Sequence, residues 1–376
     1  MIFGLFFLVL GASGHFTDDL YLQLARNHSH ENVISSPLSV EIAIAMTYLA
    51  AGGETAQEIE KTLKLPSDRK VVAKKYKELL ENIEGREKVA TLYLANRIYV
   101  VDKYRINPGY NEMVKDSFKA EAKSLNVNDP SRAAAIVNNW VNETTRGKID
   151  KLVTEDDVSN DLVAMLLNAI YFKGQWQYKF NPDETKKEDF RVSDQKRVPV
   201  EMMNLETHLR YDYVESLDVQ VVELPFLNSS LNMVIYLPKK VEGLKALEEQ
   251  ISGFSVSLIK TKVFLKLPKF KIEFTKELSD ILQNMGIKKA FEEDAANFTD
   301  LVNKDGVYIS KVKQKAFIEV NEEGAEAAAV TVAETSMYIS MPLPSERFVA
   351  DHPFAYVIRD ENTIYFQGHY VNPEAK

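Results

Sequence analysis

Six histidines, at positions 15, 28, 30, 208, 352 and 369, and no cysteine make up the stock of side chains best suited to activating a nucleophile or binding a soft metal. Only His28 and His30 stand close together, and HSH reads as an exposed turn and not as a metal site. The spacings GxSxG, HExxH, GxGxxG and the phosphate-binding loop are all missing. The many carboxylates show no pair that can be assigned as acid and base. The chain is therefore not read as an enzyme. Its most unusual stretch is residues 322–331, EEGAEAAAVT, an abrupt run of small side chains at the end of a lysine-rich segment, with no basic residue between Lys315 and Arg347.

The element before that run is KVKQKAFIEV, which alternates with the strand period. Val312, Gln314, Ala316, Ile318 and Val320 fall on one face, and Lys311, Lys313, Lys315 and Glu319 on the other. Read alone, AEAAA favours a helix, but the period of two is sharper. It puts Ala325, Ala327, Ala329, Thr331 and Ala333 on one face, and Glu326, Val330 and Glu334 on the other. Such a segment is a loop able to become a strand, with a uniformly small core side and its carboxylates outward.

EVNEEGAEAAAVT, the long loop after it and the closing DHPFAYVIRDENTIYFQGHYVNP resemble the hinge, reactive loop and carboxyl-terminal strands of the serpins, a family of suicide protease inhibitors. The resemblance runs along nearly the whole chain, through Asn32…Ser36-Pro37…Ser39, the GGET turn, WVxxxTxGKI and the spacing of Phe180, Thr185 and Phe190, and it points to the inhibitory, secreted, insect-like type. It implies an α+β serpin fold with three β-sheets, about eight to nine helices and an exposed reactive-centre loop at about 322–347.

Counting along the family pattern from Glu322, the hinge acid, the resemblance places the cut bond at Tyr338-Ile339, with Met337 and Ser340 as secondary specificity positions. A register that cuts after Ile339 is the competitor. The hinge is Glu322, Glu323, Gly324, Ala325, Ala327, Ala328, Ala329 and Thr331. By resemblance, Ser36 and Ser39 are partners of the buried Asn168 where the sheet opens; Gln314 stands where many serpins have histidine, and Trp176 lies near the upper end of the opening. The target protease would cut the loop, become acylated and be carried along as the loop inserts. An aromatic residue at the cut suits a chymotrypsin-like pocket. A papain-like cysteine protease reading Met337, or a non-inhibitory carrier, storage or chaperone role, are the alternatives; the small hinge residues argue against the latter.

The remaining elements supply the frame. Helix patterns run over Phe16–Arg26, from Ser36-Pro37, over Thr55–Leu63, 68–82, Tyr110–Ala120, Ala133–Ile149 and Leu278–Met285, and strand patterns over 92–102 and the nearly all-apolar 162–176. On the helix at 68–82, Lys70, Lys74 and Lys77 share a face with Arg69 and Lys75 nearby. A solvated face is the plain reading, and sulfated polysaccharide the family's alternative; no other cofactor and no metal are expected. No linker interrupts the chain, so residues 15–376 are expected to form one domain, preceded by a secretory signal at 1–14. Four sequons, Asn27, Asn142, Asn228 and Asn297, suit secretion. With 45% apolar and 27% charged residues and a net charge of −9, neither nucleic acid nor an anionic membrane is an expected partner, and the protein is expected to be a monomer.

Overall fold

The computed structural model describes residues 7–8, 14–84, 90–159, 161–250, 256–325 and 345–375. The loop positions Ala327, Ala328, Ala329, Thr331, Met337, Tyr338, Ile339 and Ser340 lie outside the described residues.

Two large sheets and a layer of helices form the molecule. The first sheet, six-stranded, runs in the order Phe270–Glu277, Ile309–Val320, Ala164–Gln175, Ala90–Val101, Glu121–Leu125, with the short strand Gly324–Ala325 added against Ala164–Gln175. We refer to Ala164–Gln175 as the central strand and to Ile309–Val320 as the hinge strand. The second sheet has nine strands and joins Glu346–Val349 at one end to Val33–Ser35 at the other. A two-residue pairing of Phe7–Leu8 with Val256–Ser257 stands apart. Eight α-helices are present among the described residues.

Helix Pro37–Tyr48 is buried over its whole length, as its unbroken apolar sequence requires. Ser36 caps it, its hydroxyl accepting from the Ser39 N–H at 3.3 Å, and Pro37 occupies the first turn, where no donor is needed. The helix packs against the central strand, which is itself covered on both faces and is apolar except at Asn168. On the opposite face of the six-stranded sheet lies helix Pro130–Thr144, whose Trp140 meets Tyr99 edge-on at 6.0 Å.

Several sequence expectations need correction. Helix Pro130–Thr144 ends before Ile149, because Arg146 and Gly147 both take positive φ (53° and 79°) and turn the chain. Its start lies earlier, at Pro130, where Asp129 supplies the cap that a purely apolar count overlooks. His28 is not in an exposed turn. Its ring is buried edge-on against Phe274 at 5.4 Å with Nδ1 facing Glu31, while His30 alone is exposed.

Candidate functional site

The hinge strand rises parallel to the central strand from Ile309↔Ala164 as far as Phe317↔Tyr171. Above that pair the two strands part. The chain then reverses tightly at Asn321–Gly324: Asn321 N–H donates to Gly324 O at 3.0 Å, Gly324 N–H returns to Asn321 O at 3.2 Å, and Asn321 Oδ1 also accepts from the Glu323 N–H at 3.0 Å. Out of this turn, Gly324 and Ala325 come down antiparallel against Gln175 and Gly174 of the central strand. The first two residues of the loop therefore already occupy the widened top of the gap.

Gly324 is required there on two counts. Its φ is +134°, and a Cβ would stand 2.7 Å from Gln175 Cα and 2.8 Å from Trp176 N, backbone atoms that cannot yield. The turn is also tied to the chain leaving the central strand. Trp176 N–H donates to Glu323 O and Phe180 N–H to Glu322 O, both at 3.0 Å, and the Trp176 indole donates to Asn321 O at 3.0 Å. Trp176, 1% exposed and stacked on Phe226 at 4.7 Å, is thus both core and clamp.

The two hinge acids are held in place. Glu322 accepts from the Thr185 hydroxyl at 2.8 Å and pairs with Lys269 at 3.1 Å. Burial alone would raise its carboxyl, but its backbone N–H, Thr185 and Lys269 together hold it below the usual range. Glu323 pairs with Lys179 at 2.5 Å. Thr185, Lys179 and Lys269 are partners that no local pattern announces, since all lie tens of residues away along the chain.

Midway down the gap sits a fully buried polar cluster. Gln314 Nε2 donates to Asn168 Oδ1 at 2.7 Å and to Ser36 O at 3.2 Å, while Gln314 Oε1 accepts from the Ser35 hydroxyl at 2.7 Å. Asn168 Nδ2 donates to Asn96 Oδ1 at 2.6 Å and to the Ser39 hydroxyl. Ser36 is therefore not a direct partner of Asn168; it is reached through Gln314, and Ser35 and Asn96 complete the set. Every member finds partners, as burial demands. The cluster joins the hinge strand, the central strand, the strand Ala90–Val101 and helix Pro37–Tyr48 at one point.

Lower down, on the other face, Lys311 and Lys313 of the hinge strand both reach Asp157, which lies in the short helical turn Glu155–Val158 before the central strand. Burial would push the Asp157 carboxyl up; Lys313 together with the backbone N–H and hydroxyl of Thr154 overcomes this and brings it down to about 2. The two strands are thus fastened to each other on both faces of the sheet.

These arrangements contain no nucleophile–base pair and, among the described residues, no metal-holding group of His, Asp and Glu. What they present is a strand begun and left unfinished beside a gap held by polar contacts. The family model described as Serpin (serine protease inhibitor) matches residues 11–373. The chain belongs to the serpin family. It is 44% identical over 370 residues to Serine protease inhibitor 42Dd of Drosophila melanogaster, with 98% of this chain and 99% of that one covered. It is 34% identical over 366 residues to Antichymotrypsin-2 of Bombyx mori, with 94% and 95% covered. Among solved structures, Serpin48 of the insect Tenebrio molitor superposes with a TM-score of 0.88 at 32% identity, covering 96% of this chain and 97% of that one. The serpin fold expected from the sequence is the fold observed.

The remaining candidate positions of this serpin lie on its surface. On helix Arg69–Glu84, Arg69 pairs with Asp300 at 2.5 Å, Lys74 with Glu78 at 3.7 Å, Lys75 with Glu41 at 3.6 Å and Lys77 with Asp116 at 2.7 Å, while Lys70 receives only a backbone contact to Asp68. Of the sequon asparagines, Asn27 and Asn228 are exposed, and Asn142 and Asn297 are half-buried.

Proposed function

We propose that this serpin is a secreted suicide-substrate inhibitor whose cleaved loop becomes a strand of the six-stranded sheet, between the central and hinge strands. The observation that carries this reading is the antiparallel pairing of Gly324 and Ala325 with Gln175 and Gly174. Continued in the same register, the loop would place Thr331 opposite Asn168 and residue 335 opposite Ala164, the last residue of the central strand. Residues opposite one another in a ladder share a face, so 325, 327, 329, 331 and 333 would join Asn168 on the face toward helix Pro37–Tyr48. Those five are Ala, Ala, Ala, Thr and Ala, a set that fits a packed interior without a buried charge.

The chemistry belongs to the target. Its serine Oγ attacks the Tyr338 carbonyl, the Tyr338–Ile339 C–N bond breaks, the new Ile339 amine takes the proton held by the target's histidine, and an ester joins target to Tyr338. Insertion then competes with hydrolysis of that ester by water. Tyr338 suits a chymotrypsin-like primary pocket, which is the target class we favour. The exposed sequons at Asn27 and Asn228 accord with secretion.

Incubation with chymotrypsin and, separately, with a cathepsin-like cysteine protease tests the reading. A covalent complex that survives denaturing electrophoresis, with a released peptide beginning at Ile339, is expected from chymotrypsin. Cleavage at that bond without a complex would refute inhibition, and a complex only with the cysteine protease would move the target class.

A further inference from the structure

The strand Ala90–Val101 is paired on its outer edge only from Arg97 onward, where Glu121–Leu125 begins beside it. Next to Leu94–Asn96, a cleft of about 370 Å³ opens between that edge, the end of helix Pro108–Phe118 and helix Pro130–Thr144. Its size falls in the range of small-molecule sites, roughly 300–1,000 Å³. It borders a second recess of about 120 Å³, whose walls include Leu80, Ile83, Leu92 and Phe118; Leu94, Asn96, Lys119 and Thr144 line both.

The larger cleft carries an excess of positive charge. Arg97, Lys115 and Lys119 line it against the single carboxylate of Glu121. Glu121 is already shared by Arg97 at 2.5 Å, Lys123 at 2.9 Å and Lys115 at 3.4 Å. Although burial raises its carboxyl, these cations hold it below the usual range. Arg97 is the unusual member. Its guanidinium lies 4.3 Å over the Trp140 ring and Nη1 donates to the Tyr99 hydroxyl at 3.2 Å, but its Nε is buried with no acceptor. A buried guanidinium donor left unspent is rare and marks a place where an acceptor is wanted.

We propose that this cleft binds a small amphipathic anion, with a carboxylate or sulfate head at Arg97 and Lys115 and an apolar chain laid past Trp140 into the adjoining recess. Cations without enough carboxylates supply the head group's partners, and the recess takes the chain out of water. This site is separate from the hinge and from the loop, and its occupancy does not depend on protease inhibition.

Dodecanoate, kept below its micelle-forming concentration, is the probe. Titration of the intact protein is followed by calorimetry, and by the fluorescence of Trp140 in a Trp176→Phe variant, since the chain has only 2 tryptophans. One saturable site that changes Trp140 emission is expected. Neutral dodecanol should bind about ten-fold more weakly, the loss typical of one charge-assisted contact. Lys115→Ala and Arg97→Gln should each weaken dodecanoate by a similar factor and leave dodecanol unchanged. Should Arg97→Gln not fold, Lys115→Ala and the alcohol comparison decide. Absence of saturable binding by the intact protein, equal affinity for acid and alcohol, or full dodecanoate affinity in the variants would each overturn the proposal.

Discussion

Gln314 and Asn168 meet side chain to side chain at 2.7 Å, one on each side of the gap that the loop would have to enter. The same amide is held by Ser35 and Ser36, so parting the strands leaves several buried groups without partners unless something replaces them. In the proposed register the replacement is Thr331, whose hydroxyl can both donate and accept. The cluster then costs free energy to open and regains it on closing around the new strand.

Gln314→Ala should lower native stability by about 1–3 kcal/mol, the penalty of leaving buried polar groups unpaired. Because the same change removes a fastening across the gap, the variant should also convert faster, on mild heating, to a loop-inserted form that no longer inhibits. Urea titration and residual inhibition after heating read the two effects. Gln314→His should in addition make the conversion rate pH-dependent near the imidazole's ordinary pKa of about 6.5. The wild-type amide has no proton to lose there.

Asp157 sets a second, acid-sensitive fastening. Its carboxyl lies at about 2 in the folded protein, below the unfolded value of about 3.9. A depressed folded value means that the stabilisation is complete above about pH 4 and fades as the pH falls toward 2. The full linkage would exceed 2 kcal/mol, but the site is partly solvated and screened, so about 1 kcal/mol is expected. Asp157→Asn should be less stable than wild type by that amount at pH 5–7, with the difference shrinking below pH 4. A constant difference down to pH 2.5 would show that the ion pairs with Lys311 and Lys313 are not its source.

Much of this frame is legible in the sequence. Lys311, Lys313 and Lys315 alternate with Val312, Gln314 and Ala316, so the alternation alone assigns the two faces of the hinge strand. The small residues after Glu322 and the unbroken apolar run around Asn168 are equally plain. What cannot be read are partners brought in from afar. Nothing local to Asn96 or Ser35 distinguishes them from other small polar residues in strands, and the Thr185–Glu322 contact exists only because the chain after Trp176 folds back over the hinge. His28 misleads because HSH is polar in sequence while Phe274, far along the chain, closes over one of its two rings.

Gly324→Ala should disturb the hinge more than its one added methyl suggests. The new Cβ meets backbone of the central strand, and an alanine at φ +134° is strained in any surroundings. A loss of about 1–3 kcal/mol is expected. Amide hydrogen exchange should show faster exchange at Trp176 and Phe180, whose N–H groups are bonded to Glu323 and Glu322.

Ala325→Arg separates the two halves of the proposed mechanism. Position 325 pairs with Gly174, beside which Phe172 and Phe226 leave no room even for a methyl. A guanidinium carried into that region as the strand forms would be buried without an acceptor, at a cost of several kcal/mol. Cleavage of the loop lies before this step and should be unaffected, so chymotrypsin would still cut at Tyr338. Insertion would slow while hydrolysis of the ester keeps its own rate, and the variant should behave as a substrate. The measurement is the number of inhibitor molecules consumed per protease inactivated, which should rise at least several-fold with little change in the rate of loop cleavage. An unchanged ratio would mean that position 325 stays outside the sheet when the protease is trapped.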